Sequence, residues 1–458
     1  MSPRSHRTAA INSKVQRRPK SSQRERLIEG MIAVGNRDGY AGASVSTVIA
    51  EAGVSKPTFY DYFDDKDECF LAALVEVHAS LMEEFVQELE RAEAGRAAQS
   101  AVKALVGFAS ANPSRARFLM GEAMAGRRAL DARDRGISQL AAAIDEVSAS
   151  ANNEETISDI PSEVLVGAIY RLLSSRLRRG EPAISELLEP ALEWLEGYSV
   201  PRWESRWRSP DPPMRMARVS PAPRLWAPAA LGRGRPRLSS EDVAQAQRLR
   251  IMFAAAALAA EKGYAATTVA DITELARVDR RAFYSLFADK RDAFMAVHEF
   301  GLQEVMAVTA GAFFTGSSWP ERMWAAGQAL TQFLEANPTI AHLGFVEAYS
   351  VGPSAAQRVE DSQAAFTIFL QEGNAYRPNA APPSRVVLEA IIKSIFEIVY
   401  ARARTSARPS LSDAVPGMTF LSLAPFIGAR EANAFVDEKA KSRPAKPVPS
   451  DRASGRSD

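Results

Sequence analysis

TFYDYFDDKDECF, residues 58–70, returns as AFYSLFADKRDAF, residues 282–294, a shift of 224 positions. At that shift the stretch 39–70 pairs Gly39, Tyr40, Ala41, Val45, Ala52, Val54, Phe59, Tyr60, Phe63, Asp65, Lys66 and Phe70 with identical residues, twelve in 32 without a gap. Further on, FASANPSRARFLMGEA (108–123) answers FLEANPTIAHLGFVEA (333–348) at 225, and SSRLRRGEPAISELLEPALEWL (174–195) answers YARARTSARPSLSDAVPGMTFL (400–421) at 226. Shifts that drift by only two residues point to internal duplication of a domain of roughly 180–200 residues, and two copies are too few for a solenoid.

The 458 residues suffice for two cores, and 46% hydrophobic with 24% charged residues is ordinary for a globular chain. A net charge of +1 conceals a basic arm, because residues 1–26 hold eight Lys and Arg against the single acid Glu25. Cys69 is the only cysteine, and the four histidines lack metal or catalytic spacing, so no disulfide, metal or cofactor is expected. With no apolar run long enough to span a membrane and no signal-peptide pattern, the expected location is the cytoplasm. The absence of a phosphate loop, nucleophile elbow or ligand cluster argues against an enzyme.

The chain divides into a basic arm (1–21), a first reading head (22–70), a first helical regulatory domain (71–199), a linker (200–240), a second head (241–294), a second regulatory domain (295–437) and a polar tail (438–458). The linker carries eight prolines and nine arginines, which suits an irregular segment.

Within each copy the apolar period is helical, so an all-α fold is expected. RERLIEGMIAVGNRDGY sets Leu27, Met31 and Val34 on one face and ends at Gly39; RLRIMFAAAALAAEKGY does the same and ends at Gly263. Ser44 and Gly53 bracket the next short helix, and Thr268 with Asp271 opens its counterpart. Ser55 caps another helix, expected over 56–62, to complete a helix-turn-helix. Asp65 with Glu68, and Asp289 with Asp292, then start a long helix.

The cassette TVIAEAGVSKPTFYDYFDDKDECF resembles the DNA-binding domain of the tetracycline-repressor (TetR) family over about 50 residues per copy. The resemblance implies double-stranded DNA as a partner, a helical bundle that encloses a small-molecule effector, and a pair of final helices that joins subunits in a four-helix bundle. LVGAIYRLLSSRL and LEAIIKSIFEIVYARA resemble those pairing helices.

A recognition helix shows its N-terminal residues to base edges. In the first copy these are Ser55, Lys56, Pro57 and Thr58, with Tyr60 a turn later; in the second, Asp279, Arg280, Arg281 and Ala282, with Tyr284. Either arginine can hold guanine O6 and N7 in a fork or rest on phosphates. Lys66 and Lys290 open the following helix, where the resemblance and the helix dipole point to phosphate contacts, with a solvated lysine as the alternative. Arg233, Arg235 and Arg237, in the AT-hook-like run GRGRPR, suit a narrow minor groove or nonspecific phosphate attraction. The turn residue Gly53 is replaced by Arg277, which loses glycine's access to positive φ and predicts a strained or reshaped turn.

Phe118, Met120, Glu122, Met124, Trp324, Phe345, Glu347 and Tyr349 are candidates for an effector pocket or ordinary core positions. Because tethering raises the effective concentration of one copy around the other, the expected unit is a single-chain pseudo-dimer, with further homodimerisation open. Unlike heads predict a non-palindromic operator, and repression is the sign the resemblance favours. The competing reading is an architectural or interaction protein whose second head no longer reads sequence.

Overall fold

The computed structural model describes residues 22–93, 95–121, 126–150, 156–180, 183–201, 225, 239–377, 381–404 and 410–441. The first half runs α1 (Gln23–Gly42), α2 (Val45–Ala52), α3 (Lys56–Tyr60), α4 (Lys66–Glu90), α5 (Ala97–Ala111), α6 (Pro113–Gly121), α7 (Arg127–Ser150), α8 (Ser162–Arg179) and α9 (Leu188–Glu196). The second runs α10 (Ser240–Lys262), α11 (Val269–Ala276), α12 (Arg280–Leu286), α13 (Lys290–Phe313), α14 (Trp319–Ala336), α15 (Pro338–His342), α16 (Pro353–Ala365), α17 (Ile368–Gln371), α18 (Arg385–Arg404), α19 (Val415–Ile427) and α20 (Ala429–Lys441). The all-α expectation holds, with one addition: β1 (Thr156–Ser158) and β2 (Ser199–Pro201) form a three-residue antiparallel ladder that ties the loop before α8 to the chain after α9.

The expected punctuation is where the sequence placed it. α1 starts in a reciprocal capping box between Ser22 and Glu25 and breaks at Gly39, where φ is 70°; α10 stops at Gly263, where φ is 84°. Both angles suit a residue without Cβ. α3 is shorter than expected, ending at Tyr60 instead of residue 62. The boundaries drawn at 70/71 and 294/295 fall inside the continuous helices α4 and α13, so each reading head is joined rigidly to its regulatory bundle.

The halves meet through α8 and α18, with α9 also packed on α18 and the residues just after α9 reaching α19. The Tyr198 hydroxyl, buried after α9, donates to the Leu421 carbonyl at 2.8 Å. At the centre of the contact Glu397 accepts from Arg133 at 2.9 Å and from Arg171 at 2.6 Å, all three side chains being buried. Around it, Arg176 pairs with Glu389 at 2.8 Å, Ser175 donates to Glu360 at 2.7 Å, and Arg178 also pairs with Glu360. Gly167 lies directly beneath the Glu397 side chain, where a Cβ would collide. Burial pushes the Glu397 carboxyl up, but the two guanidiniums outweigh it and hold the group at about 2.

Candidate nucleic-acid interface

Each reading head is assembled by the same devices. α2 is capped by Ser44 and ends at Gly53 in the left-handed conformation (φ 61°, ψ 44°); α11 is capped by Thr268 and ends at Arg277 in nearly the same one (φ 52°, ψ 49°). Arg277 therefore keeps the turn's shape and carries the strain, of about 1–2 kcal/mol for a residue with a Cβ. Reshaping does not occur.

One device was not foreseen. Arg26 on α1 donates to the Ala52 carbonyl at 2.8 and 2.9 Å and to the Gly53 carbonyl; Arg250 on α10 donates to the Ala276 carbonyl and, at 3.1 Å, to that of Arg277. These are equivalent residues at a shift of 224, and they satisfy the orphan carbonyls at the end of the helix before the turn. An arginine repeated 224 positions later on an apolar helix face was the available signal, but its carbonyl partners leave no trace in sequence.

The recognition helices α3 and α12 present different chemistry. Ser55 caps α3, accepting from Thr58 N at 3.3 Å while the two hydroxyl oxygens lie 2.8 Å apart, so these hydroxyls are first of all a local cap. Lys56 and Pro57 are exposed, and Tyr60 is 49% exposed. In the second head Asp279 is the cap, accepting from Ala282 N at 2.7 Å, while Arg280 and Arg281 are exposed and Tyr284 is 57% exposed. Phe59 and Phe283, between these residues, are fully buried and hold the helices to their heads.

Lys66 and Lys290 both turn inward. The Lys66 ammonium donates to the carbonyls of Tyr40 and Ala43 at 3.3 and 3.1 Å; Lys290 donates to those of Tyr264, Ala265 and Thr267 at 3.1, 3.3 and 2.9 Å. Each also sits 4.5 Å from the ring centroid of Tyr40 or Tyr264. These carbonyls lie at the end of α1 and in the loop just after α10, by the negative ends of those helix dipoles, where an ammonium satisfies them better than water. Both lysines are clamps that fasten the long helix to the head, and desolvation lowers the pKa of Lys290. Arg233, Arg235 and Arg237 lie outside the described residues.

The candidate pocket residues scatter. Phe118 is core, its ring 5.2 Å from that of Phe70 and pressed on Gly35. Trp324 packs edge-on against Phe435 of α20. Met120 and Tyr349 face a small polar cleft between the halves, shared with Arg133, Arg171, Arg178 and Glu360. Glu122 and Met124 lie outside the described residues. Only Phe345 lines the apolar cavity in the second bundle, a space of about 470 Å³ including its mouth, bounded by α13, α15, α16, α18 and the π-turn Leu343–Glu347. Glu347 points away from it: its carboxylate accepts from Tyr264 N at 3.1 Å and from Ser350 at 3.0 Å, tying the end of the π-turn to the end of α10. Burial opposes ionisation of Glu347, but His342 and these hydrogen bonds prevail and its pKa is lowered.

Two capped helices around a left-handed turn, repeated with exposed cations at the start of the second helix, are a DNA-reading geometry. The sequence model of bacterial regulatory proteins of the tetR family matches residues 28–73 and again 251–297. The chain carries two tetR-family domains. Two such domains support a DNA-binding regulator, and among the described residues no helix is long and apolar enough to cross a membrane and no side-chain cluster could hold a metal. No curated protein matches the chain. Among solved structures it is similar to the fatty acid degradation regulator FadR from Bacillus halodurans (18% identity, 38% of this chain and 96% of that one, TM-score 0.35). It is also similar to a tetR-family regulatory protein from Rhodococcus RHA1 (22%, 39% and 96%, 0.34) and to the regulator FadR from Bacillus subtilis in complex with stearoyl-CoA (14%, 39% and 98%, 0.36).

Proposed function

We propose that the chain is a ligand-responsive repressor that binds a non-palindromic operator as a single-chain pseudo-dimer. The observation that carries this reading is the pairing of Arg171 with Glu397. At the 226-residue shift of the pairing helices these two are the same position of the repeat. In a two-fold homodimer a residue at such a position meets its own copy. Two first halves would set Arg171 against Arg171, and two second halves would set Glu397 against Glu397, each buried like-charge contact costing several kcal/mol. First-half α8 and second-half α18 are complementary, and the tether already supplies them in one molecule.

The heads then read two different half-sites. Lys56 and the neighbouring hydroxyls offer a point charge and short donors, whereas Arg280 and Arg281 offer forks that match guanine. The response to ligand follows a mechanical route: an apolar effector in the second bundle displaces the π-turn, and Glu347 carries that displacement to Tyr264, whose carbonyl is also held by Lys290. Selection of short DNA from a random library by the full chain at near-physiological salt tests the reading. An asymmetric site of two unlike halves is expected; a perfect inverted repeat would contradict it, and no enrichment at all would remove sequence-specific regulation.

A further inference from the structure

The halves differ most where an effector would sit. In the first, α7 runs unbroken for 24 residues along α4, and Gly136 closes on the His78 ring, where an added Cβ would lie 2.9 Å from it. In the second, the corresponding chain is broken into α16, α17 and a 3-10 turn (Glu372–Tyr376), the π-turn answers part of α6, and the cavity opens in the space left beside α13. By repeat register, wall positions Gly344, Leu343 and Gly301 become Leu119, Phe118 and Val77, whose side chains are buried in the first half. Ile340 becomes Arg115, which turns outward to pair with Glu29.

The cavity wall in the second half is Val, Leu, Ile, Phe and Gly, with His298 and Ser362 as its polar members and no carboxylate, ammonium or guanidinium among its lining residues. Burial lowers His298 to about 4, so the imidazole is neutral at physiological pH. Centres of water molecules could occupy about 40 Å³ of the space, room for about three waters before any side chain moves.

Resting on the ligand-responsive reading above, we infer that sensing is one-sided: each chain takes one small, neutral, apolar molecule with a single hydrogen-bonding group, in the second half, while the first half is a filled scaffold. Arg358 bears on His298 from outside the lining, but the wall itself offers a charged headgroup no partner, which disfavours its entry.

Isothermal titration of the full chain with 1-octanol, octanoate and octylammonium tests this. The expected result is one octanol per chain, with both ions weaker by about tenfold or more, a difference of about 1.4 kcal/mol. Gly344→Leu installs the first half's residue where an added Cβ meets nothing within 4 Å, and Val305→Leu is a smaller filling change; each should weaken octanol about tenfold or more while the thermal transition persists. Two octanols per chain, an ion bound as tightly as octanol, no octanol binding, or affinity unchanged in both variants would overturn the inference. Operator release is scored separately: octanol that binds once but leaves DNA bound removes the ligand-responsive reading and leaves the one-sided site standing.

Discussion

The two reading heads share a scaffold and differ in what they expose. Arg26 and Arg250, Lys66 and Lys290, and the caps at Ser44 and Thr268 do equal work in both, because each satisfies backbone groups that any such head must satisfy. Outside those positions constraint is weak, and the exposed starts of α3 and α12 have become a lysine-proline pair in one head and an arginine pair in the other. Even Arg277 follows this division, since it abandons glycine without abandoning the turn. A duplicated chain can therefore specialise its surfaces while its caps and clamps stay fixed.

The largest expected effect lies at the point where the halves must differ. Glu397→Ala removes the carboxylate shared by two buried guanidiniums and leaves Arg133 only Asp134, and a loss of about 3–5 kcal/mol is expected in chemical denaturation. The double exchange Arg171→Glu with Glu397→Arg should recover part of it, and no recovery would mean that the pairing carries no charge specificity. Acid probes the same site. The folded pKa of Glu397, about 2, lies below its ordinary value of 4.5, so its stabilisation is complete above the higher value and is lost as pH falls toward the lower. The Glu397→Ala chain should lose less stability over that interval.

The scaffold comparison is sharpened by Arg250→Ala and Arg26→Ala. Each removes charge-assisted hydrogen bonds to turn carbonyls, and each should cost about 1.5–3 kcal/mol in its own head. Clearly unequal losses would mean that the shared clamp has diverged in role. For the exposed residues, Arg281→Ala should relax preference at one half-site by about 1–3 kcal/mol, measured by competition between operator variants, and leave the other half-site unchanged. The smallest effect is a gain: Arg277→Gly should stabilise the chain by about 1 kcal/mol, because only the strain of a left-handed residue with a Cβ is removed. A loss instead would show that the Arg277 side chain makes a contact worth more than the strain.

Much of this architecture was legible in the sequence. Gly39 and Gly263, Ser44, Asp65 and the apolar spacing of Leu27, Met31 and Val34 mark helix ends and faces by local rules. What escaped has non-local partners. The inward turn of Lys66 and Lys290 depends on carbonyls some two dozen residues away, and carbonyls are the same in every residue. Most of the effector candidates scattered for a similar reason: an apolar residue in a helix has the same signature whether it lines a cavity or fills one, as Phe345 and Phe118 show. The Arg171 and Glu397 pair was within reach, because the repeat register alone places opposite charges at one position.

The number of chains that occupy one operator separates a single-chain pseudo-dimer from paired like halves. Native mass measurement of the full chain on its selected DNA is expected to give one chain per duplex over a wide range of protein concentration. Two chains bound together on a palindromic site, with like halves paired, would contradict it.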